Sequence, residues 1–142
     1  MEDLSANRKN RVTILAGNFK SKEQAEEFMK IGEINGERKP LQFMDAFKLK
    51  GNVEKEIAIL HFEKASKMIE ELFSGLPYGD RIEKEMLARF PKKKAVQRKV
   101  NTVIAIYDFD FMKHLDGRNI FDVKNEQFDV FYIDIMRYRD DN

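Results

Sequence analysis

The sequence contains no cysteine and no tryptophan, and only two histidines, three prolines and seven glycines among 142 residues. Without cysteine there is no disulfide scaffold, no thiolate zinc site and no cysteine nucleophile, which fits a reducing cytoplasm. Two histidines leave few catalytic dyads, and no serine stands in a nucleophile elbow. No window approaches the roughly 18 consecutive apolar residues of a membrane-spanning helix, so no membrane partner is expected. The opening residues 1–10 are polar and mixed in charge, without the apolar run of a secretory signal. An excess of one charge is lacking too: 26 Lys and Arg face 25 Asp and Glu, a formal net charge of +1. That balance supplies no global field to steer the chain onto nucleic acid or anionic lipid.

What the chain does have is core material. Hydrophobic residues make up 42%, with twelve Phe, four Tyr and seven Met, enough to offset the entropy of ordering one sizeable core. At this length one domain is expected, with residues 1–10 as a poorly ordered leader and 11–142 as the domain.

The β-branched run Arg11 to Ala16 predicts a strand, ended by a turn at Gly17, Asn18 and Phe19. Ser21 with Gln24 forms a capping-box start for a helix from Lys22 to Ile31. Pro40 opens a short helix carrying Phe43, Ala46, Phe47 and Leu49, broken by Gly51-Asn52. Glu56 to Phe62 reads as a buried strand and Ala65 to Phe73 as a helix stopped by Gly75 and Pro77. Asp80 with Glu83 repeats the capping box for a helix that must end at Pro91. Val100 to Tyr107 is the strongest strand signal and should be central; Asp116-Gly117 marks a turn before strands near 119–123 and 127–136. This order predicts an α+β single domain, a mixed or antiparallel sheet of about four to five strands with helices packed on one face.

Asp108-Phe109-Asp110 is the best candidate for metal or general-base chemistry. On an extended strand, residues two apart share a face, so these carboxylates could chelate a hard cation, with His114 as a further ligand or base. A metal-dependent hydrolase is therefore one alternative. The plainer reading is two aspartates where a buried strand emerges into water, and so short a motif assigns no metal site by itself. His61, inside an apolar stretch, reads as a packed and hydrogen-bonded side chain. Gly17 stands without a second glycine at phosphate-loop spacing, and no cofactor is expected.

Charge is unevenly distributed along the chain. Arg89, Lys92, Lys93, Lys94, Arg98 and Lys99 form a basic segment, which makes a nucleic-acid accessory protein another alternative. It lacks the interleaved aromatics of a single-strand binder, and the plainer reading is a solvated connection. In the C-terminal third, acids such as Asp108, Asp110, Asp116, Asp122, Asp129, Asp134, Asp140 and Asp141 outnumber the cations. Near-neutrality thus conceals a possible dipolar surface. An acidic face bearing Tyr and Phe would suit a basic protein partner, although edge strands commonly carry charge merely to prevent aggregation.

Three stretches carry a resemblance: Gly17-Asn18-Phe19-Lys20-Ser21-Lys22-Glu23, Leu72-Phe73-Ser74-Gly75-Leu76-Pro77-Tyr78-Gly79-Asp80, and Asn101 to Phe111 with Tyr107-Asp108-Phe109 at the end of an apolar strand. In order and spacing they resemble the immunity protein 22 family of bacterial polymorphic-toxin systems. The resemblance implies a small cytoplasmic α+β protein that binds and neutralises a cognate toxin without catalysis. By the matched positions, Gly17, Asn18 and Phe19 are structural, and Tyr107, Asp108 and Asp110 are where partner contact is expected. Asp116 and Tyr132, on the same acidic and aromatic-bearing third, complete the expected contact set.

Overall fold

The apolar run after Arg11 forms strand β1 (Arg11–Phe19), the middle of the principal sheet in a computed structural model that describes residues 9–51, 53 and 55–140. Helix α1 (Lys22–Phe28) follows, then the strands β2 (Ile31–Ile34) and β3 (Glu37–Pro40), helix α2 (Leu41–Ala46) and the long strand β4 (Ile57–Met68). Helices α3 (Ile69–Phe73) and α4 (Gly79–Arg89) lead to β5 (Ala95–Tyr107), and α5 (Phe111–Leu115), β6 (Asp122–Lys124) and β7 (Phe128–Arg137) complete the chain. The principal sheet runs β4-β5-β1-β7-β6 and is antiparallel throughout, while β2 and β3 pair separately. The expected α+β domain with a sheet of five strands is what forms.

The helices, however, cover both faces of the sheet and not one. Val12, Ile14 and Ala16 of β1 with Val103, Ala105 and Tyr107 of β5 pack under α3 and α4, through Leu72, Phe73, Ile82 and Met86. Leu15, Ile104 and Ile106 face the other way, into α1, α2 and α5, where Phe28, Phe43, Phe47 and Phe111 gather. A strand buried on both faces reads as a continuous apolar run, which is the pattern of Val103-Ile104-Ala105-Ile106-Tyr107. β5 is an inner strand as expected, but the central position belongs to β1.

Local signals and tertiary pairing disagree at several points. Gly17, Asn18 and Phe19 do not turn; they continue β1 and pair with Val130, Asp129 and Phe128 of β7. Glycine is required there because a Cβ would lie 2.0 Å from the Asp129 carbonyl oxygen. Ser21 caps α1 as expected, accepting from the Gln24 amide at 3.1 Å, but the helix ends at Phe28 and Gly32 lies in β2. The β2–β3 hairpin closes on Asn35 and Gly36, both at positive φ (54° and 80°), the pair favoured by a type I′ turn. The helix expected from Ala65 begins only at Ile69, because Ser66 and Met68 pair with Val100 and Ala95 of β5. α4 has no side-chain cap at Asp80; Tyr78, at φ 60°, precedes Gly79, where a Cβ would meet the Ser74 carbonyl oxygen at 2.4 Å.

Residues 1–8 of the expected leader lie outside the described residues, as do Asn52 and Asp141. Asn10 is buried: its carbonyl accepts from the Tyr138 amide at 3.2 Å and its side-chain oxygen from Arg139 Nε at 2.5 Å.

Candidate partner-binding surface

β5 stops at Tyr107 because Asp108 takes a left-handed conformation, φ 58°, so Asp108 and Asp110 do not share a strand face. One Asp108 carboxylate oxygen accepts from the Asn10 amide at 2.8 Å and from the Tyr138 hydroxyl at 2.7 Å, and the Asp108 amide donates to the Arg11 carbonyl at 2.6 Å. The side chain thereby ties together the start of β1, the end of β5 and the segment after β7. Tyr107 is buried; its hydroxyl donates to the Pro77 carbonyl at 2.7 Å and its ring meets Tyr138 edge-on at 5.0 Å. Burial pushes the Tyr107 phenol well above its ordinary range. Burial and the hydrogen bond to Asp108 push Tyr138 up to about 12. Tyr78, 49% exposed, covers the pair with its ring 4.9 Å from that of Tyr138.

Asp110 is also buried and caps α5, accepting from the Met112 amide at 3.1 Å. The Thr13 hydroxyl donates to the Phe109 carbonyl at 2.7 Å and accepts from the Phe111 amide at 3.2 Å, fixing the segment between the two aspartates. His114 Nδ1 lies 2.5 Å from the Lys50 carbonyl oxygen and its ring stacks on Phe109 at 4.4 Å. Among the described residues no group of three or more His, Asp or Glu side chains is placed to hold a metal ion. His61 packs as expected, with Nδ1 3.0 Å from the Thr102 hydroxyl.

The expected contact residues therefore do not form one surface. Tyr107, Asp108 and Asp110 have partners inside the fold. Tyr132 is half-buried on the opposite face, its ring stacked on Phe111 at 4.5 Å and 11°, and burial raises its phenol pKa. Asp116 alone among the five is exposed, at φ 56° after α5, with Lys50 Nζ 3.7 Å away.

Asn18 and Phe19 hold the other end of β1. Asn101 donates from its amide to the Asn18 side-chain oxygen at 3.1 Å, and its own side chain brackets the Phe19 backbone, accepting at 3.0 Å and donating at 2.9 Å. Phe19 stacks on Phe128 at 5.2 Å. Gly17, Asn18 and Phe19 are thus structural, through strand pairing rather than a turn.

The basic and acidic segments, far apart in sequence, meet. Arg98 forks onto Asp122 at 3.0 and 3.2 Å, approaches Asp129 at 3.8 Å and lies 4.0 Å over the Phe131 ring. The Asp122 hydrogen bond is the main reason its guanidinium holds its proton more tightly than usual. Arg89 pairs with Asp134, and Arg81 with Asp140 at 3.3 Å. These pairs engage Arg89 and Arg98 of the basic segment, while its lysines Lys92, Lys93, Lys94 and Lys99 are exposed.

A groove the sequence reading missed lies beside Asp116, where the β2–β3 hairpin meets α2 and the chain beyond it. Its volume is about 450 Å³. Ile34, Leu41, Met44 and Leu49 line its floor, and Lys39, Lys48, Lys50 and Arg118 stand around it with the single acid Asp45. The Asn35-Gly36 hairpin signal could have located one wall; the approach of Arg118 to Lys48, 70 positions apart, had no local signal.

Comparison with known proteins returns one family: the model described as Immunity protein 22 matches residues 12–132. No curated protein and no solved structure matches the chain.

Proposed function

We propose that this chain, which belongs to the immunity protein 22 family, binds a cognate bacterial toxin in the cytoplasm and neutralises it by protein contact, without catalysis. The match over residues 12–132 is the observation that carries this reading, since it spans both faces of the sheet and nearly every element. The hydrolase alternative loses support because Asp108, Asp110 and His114 serve backbone groups at three different junctions of the fold. Contact is placed, in this reading, on exposed side chains near Asp116 and away from the buried Tyr107 and Asp110. Such a complex should bury on the order of 1,200–2,000 Å² in total.

The test is growth of cells expressing the cognate toxin, with and without this chain, paired with co-elution of the two purified proteins. Restored growth together with a stable complex is expected. Failure to protect, or protection with no complex at micromolar concentration, overturns the reading.

A further inference from the structure

The groove between the β2–β3 hairpin and α2 combines an apolar lining, in which Met44 and Leu49 are themselves buried core residues, with a cationic rim. Its floor is apolar, and Ile34 on the hairpin is 50% exposed. Its rim is cationic: Lys39 is held by Glu37 at 3.0 Å, whereas Lys48 and Lys50 are weakly neutralised. Lys48 lies 3.7 Å from Asp45 and Lys50 3.7 Å from Asp116, with all four side chains at least 60% exposed. Ion pairs this long and this exposed contribute little. Arg118 donates to the Lys48 carbonyl at 2.7 Å, so its contact there leaves its charge uncompensated by a carboxylate. Lys48, Lys50 and Arg118 beside an apolar lining favour an occupant with the reverse pattern.

We propose that this groove is the docking site for a segment of the partner toxin that carries an apolar or aromatic side chain flanked by carboxylates. The apolar side chain packs against Ile34 and Leu41, and the carboxylates meet Lys48, Lys50 and Arg118. The inference rests on the reading that the chain neutralises a toxin by contact. It reverses the sign of the partner expected from the sequence, because Arg81, Arg89 and Arg98 pair with acids of the C-terminal third at 3.3 Å or less, while Lys48 and Lys50 have long, exposed pairs of 3.7 Å.

Two variants test it: Ile34→Asp, and Lys48→Glu with Lys50→Glu, against the control Lys92→Glu with Lys93→Glu, which makes the same charge change on an exposed turn. All four lysines are exposed, and the melting temperature of each variant reports whether it folds. Both groove variants should keep that temperature, bind the toxin domain at least about tenfold more weakly and lose protection, while the control protects fully. A peptide alternating Glu with Leu and Phe should shift groove amides in the wild-type spectrum, more at low salt than at high. Its Lys-for-Glu counterpart should not.

Folded groove variants that bind the toxin within about twofold of wild type overturn the inference and leave the toxin-binding reading intact. Equal binding of the Lys peptide, or groove shifts with laurate and none with the acidic peptide, also overturns it, the latter by making the groove a small-amphiphile site. A wild-type chain that neither binds nor protects overturns the toxin-binding reading and the inference with it.

Discussion

The Asp108 carboxylate accepts the Tyr138 hydroxyl at 2.7 Å, and the same oxygen accepts the Asn10 amide at 2.8 Å. One residue, its backbone left-handed, thus joins three strand ends. Hydrogen bonds to a charged group contribute about 1.5–3 kcal/mol each when well formed. Tyr138→Phe should therefore destabilise the protein by about 2 kcal/mol, lowering the melting temperature by about 4–8 °C. Asp108→Asn, which tolerates φ 58° and keeps an acceptor, should cost less than Asp108→Lys, which loses both. A protection assay on Asp108→Lys consequently reports on the fold before it reports on any surface. Thermal melts of the three variants check the order, and an unchanged Tyr138→Phe would sink the account.

Burial of Tyr138, with the same hydrogen bond, sets an alkaline limit. Tyr138 is raised to about 12 from the ordinary phenol value of 10.0, so the folded state holds its proton more tightly than the unfolded chain. A raised pKa contributes stability that is complete below about pH 10 and is lost as pH climbs through 12. Tyr107 and Tyr132 are raised as well, chiefly by burial, and act in the same direction. Denaturant midpoints should be flat up to pH 10 and fall steeply above it. In Tyr138→Phe the fall should be shallower, and an identical slope would show that Tyr138 does not take part.

Gly17 makes a prediction that does not depend on charge. A Cβ at this position would lie 2.0 Å from the Asp129 carbonyl oxygen and 2.7 Å from Val130 Cα, both backbone atoms that can yield only if β1 and β7 separate. Gly17→Ala should destabilise by about 3 kcal/mol or more, as severe overpacking does. Gly36→Ala has open space and meets only the cost of positive φ, about 1 kcal/mol. Urea unfolding of the two variants should separate them clearly; equal losses would mean that the strands adjust at no cost.

These sites show which parts of the molecule were legible in the sequence. The run Val103 to Tyr107 announced an inner strand, Ser21 with Gln24 announced α1, and the apolar alternation after Gln127 announced β7. The turn expected at Gly17 failed because glycine can serve close strand approach as well as a change of direction, and sequence spacing does not separate the two. The helix expected from Ala65 failed because pairing of Ser66 and Met68 with β5 outweighs local preference. The contact residues raise a separate point. Tyr107 is of a type enriched at interfaces, yet the Pro77 carbonyl that engages it, like the Met112 amide that engages Asp110, is set by the tertiary fold. The groove at Ile34 depends on Arg118 arriving beside Lys48, a contact that no local window contains.

Arg98 decides how the basic segment behaves toward nucleic acid. Its fork onto Asp122 and its place over Phe131 would both have to break before it could meet a phosphate. Because its side chain is 39% exposed, solvent screens the pair, and Arg98→Ala should cost no more than about 1 kcal/mol of stability. Arg89 is similarly engaged with Asp134, leaving Lys92, Lys93, Lys94 and Lys99 to face a polyanion. Each neutralised phosphate contributes about −0.9 to the slope of log K against log salt, so four lysines allow a slope no steeper than about −3.6. Duplex DNA binding should be correspondingly weak, and Arg98→Ala should leave its salt slope unchanged. A steeper slope that Arg98→Ala reduces would show that the arginines leave their carboxylates, and the nucleic-acid reading of this segment would then regain its standing.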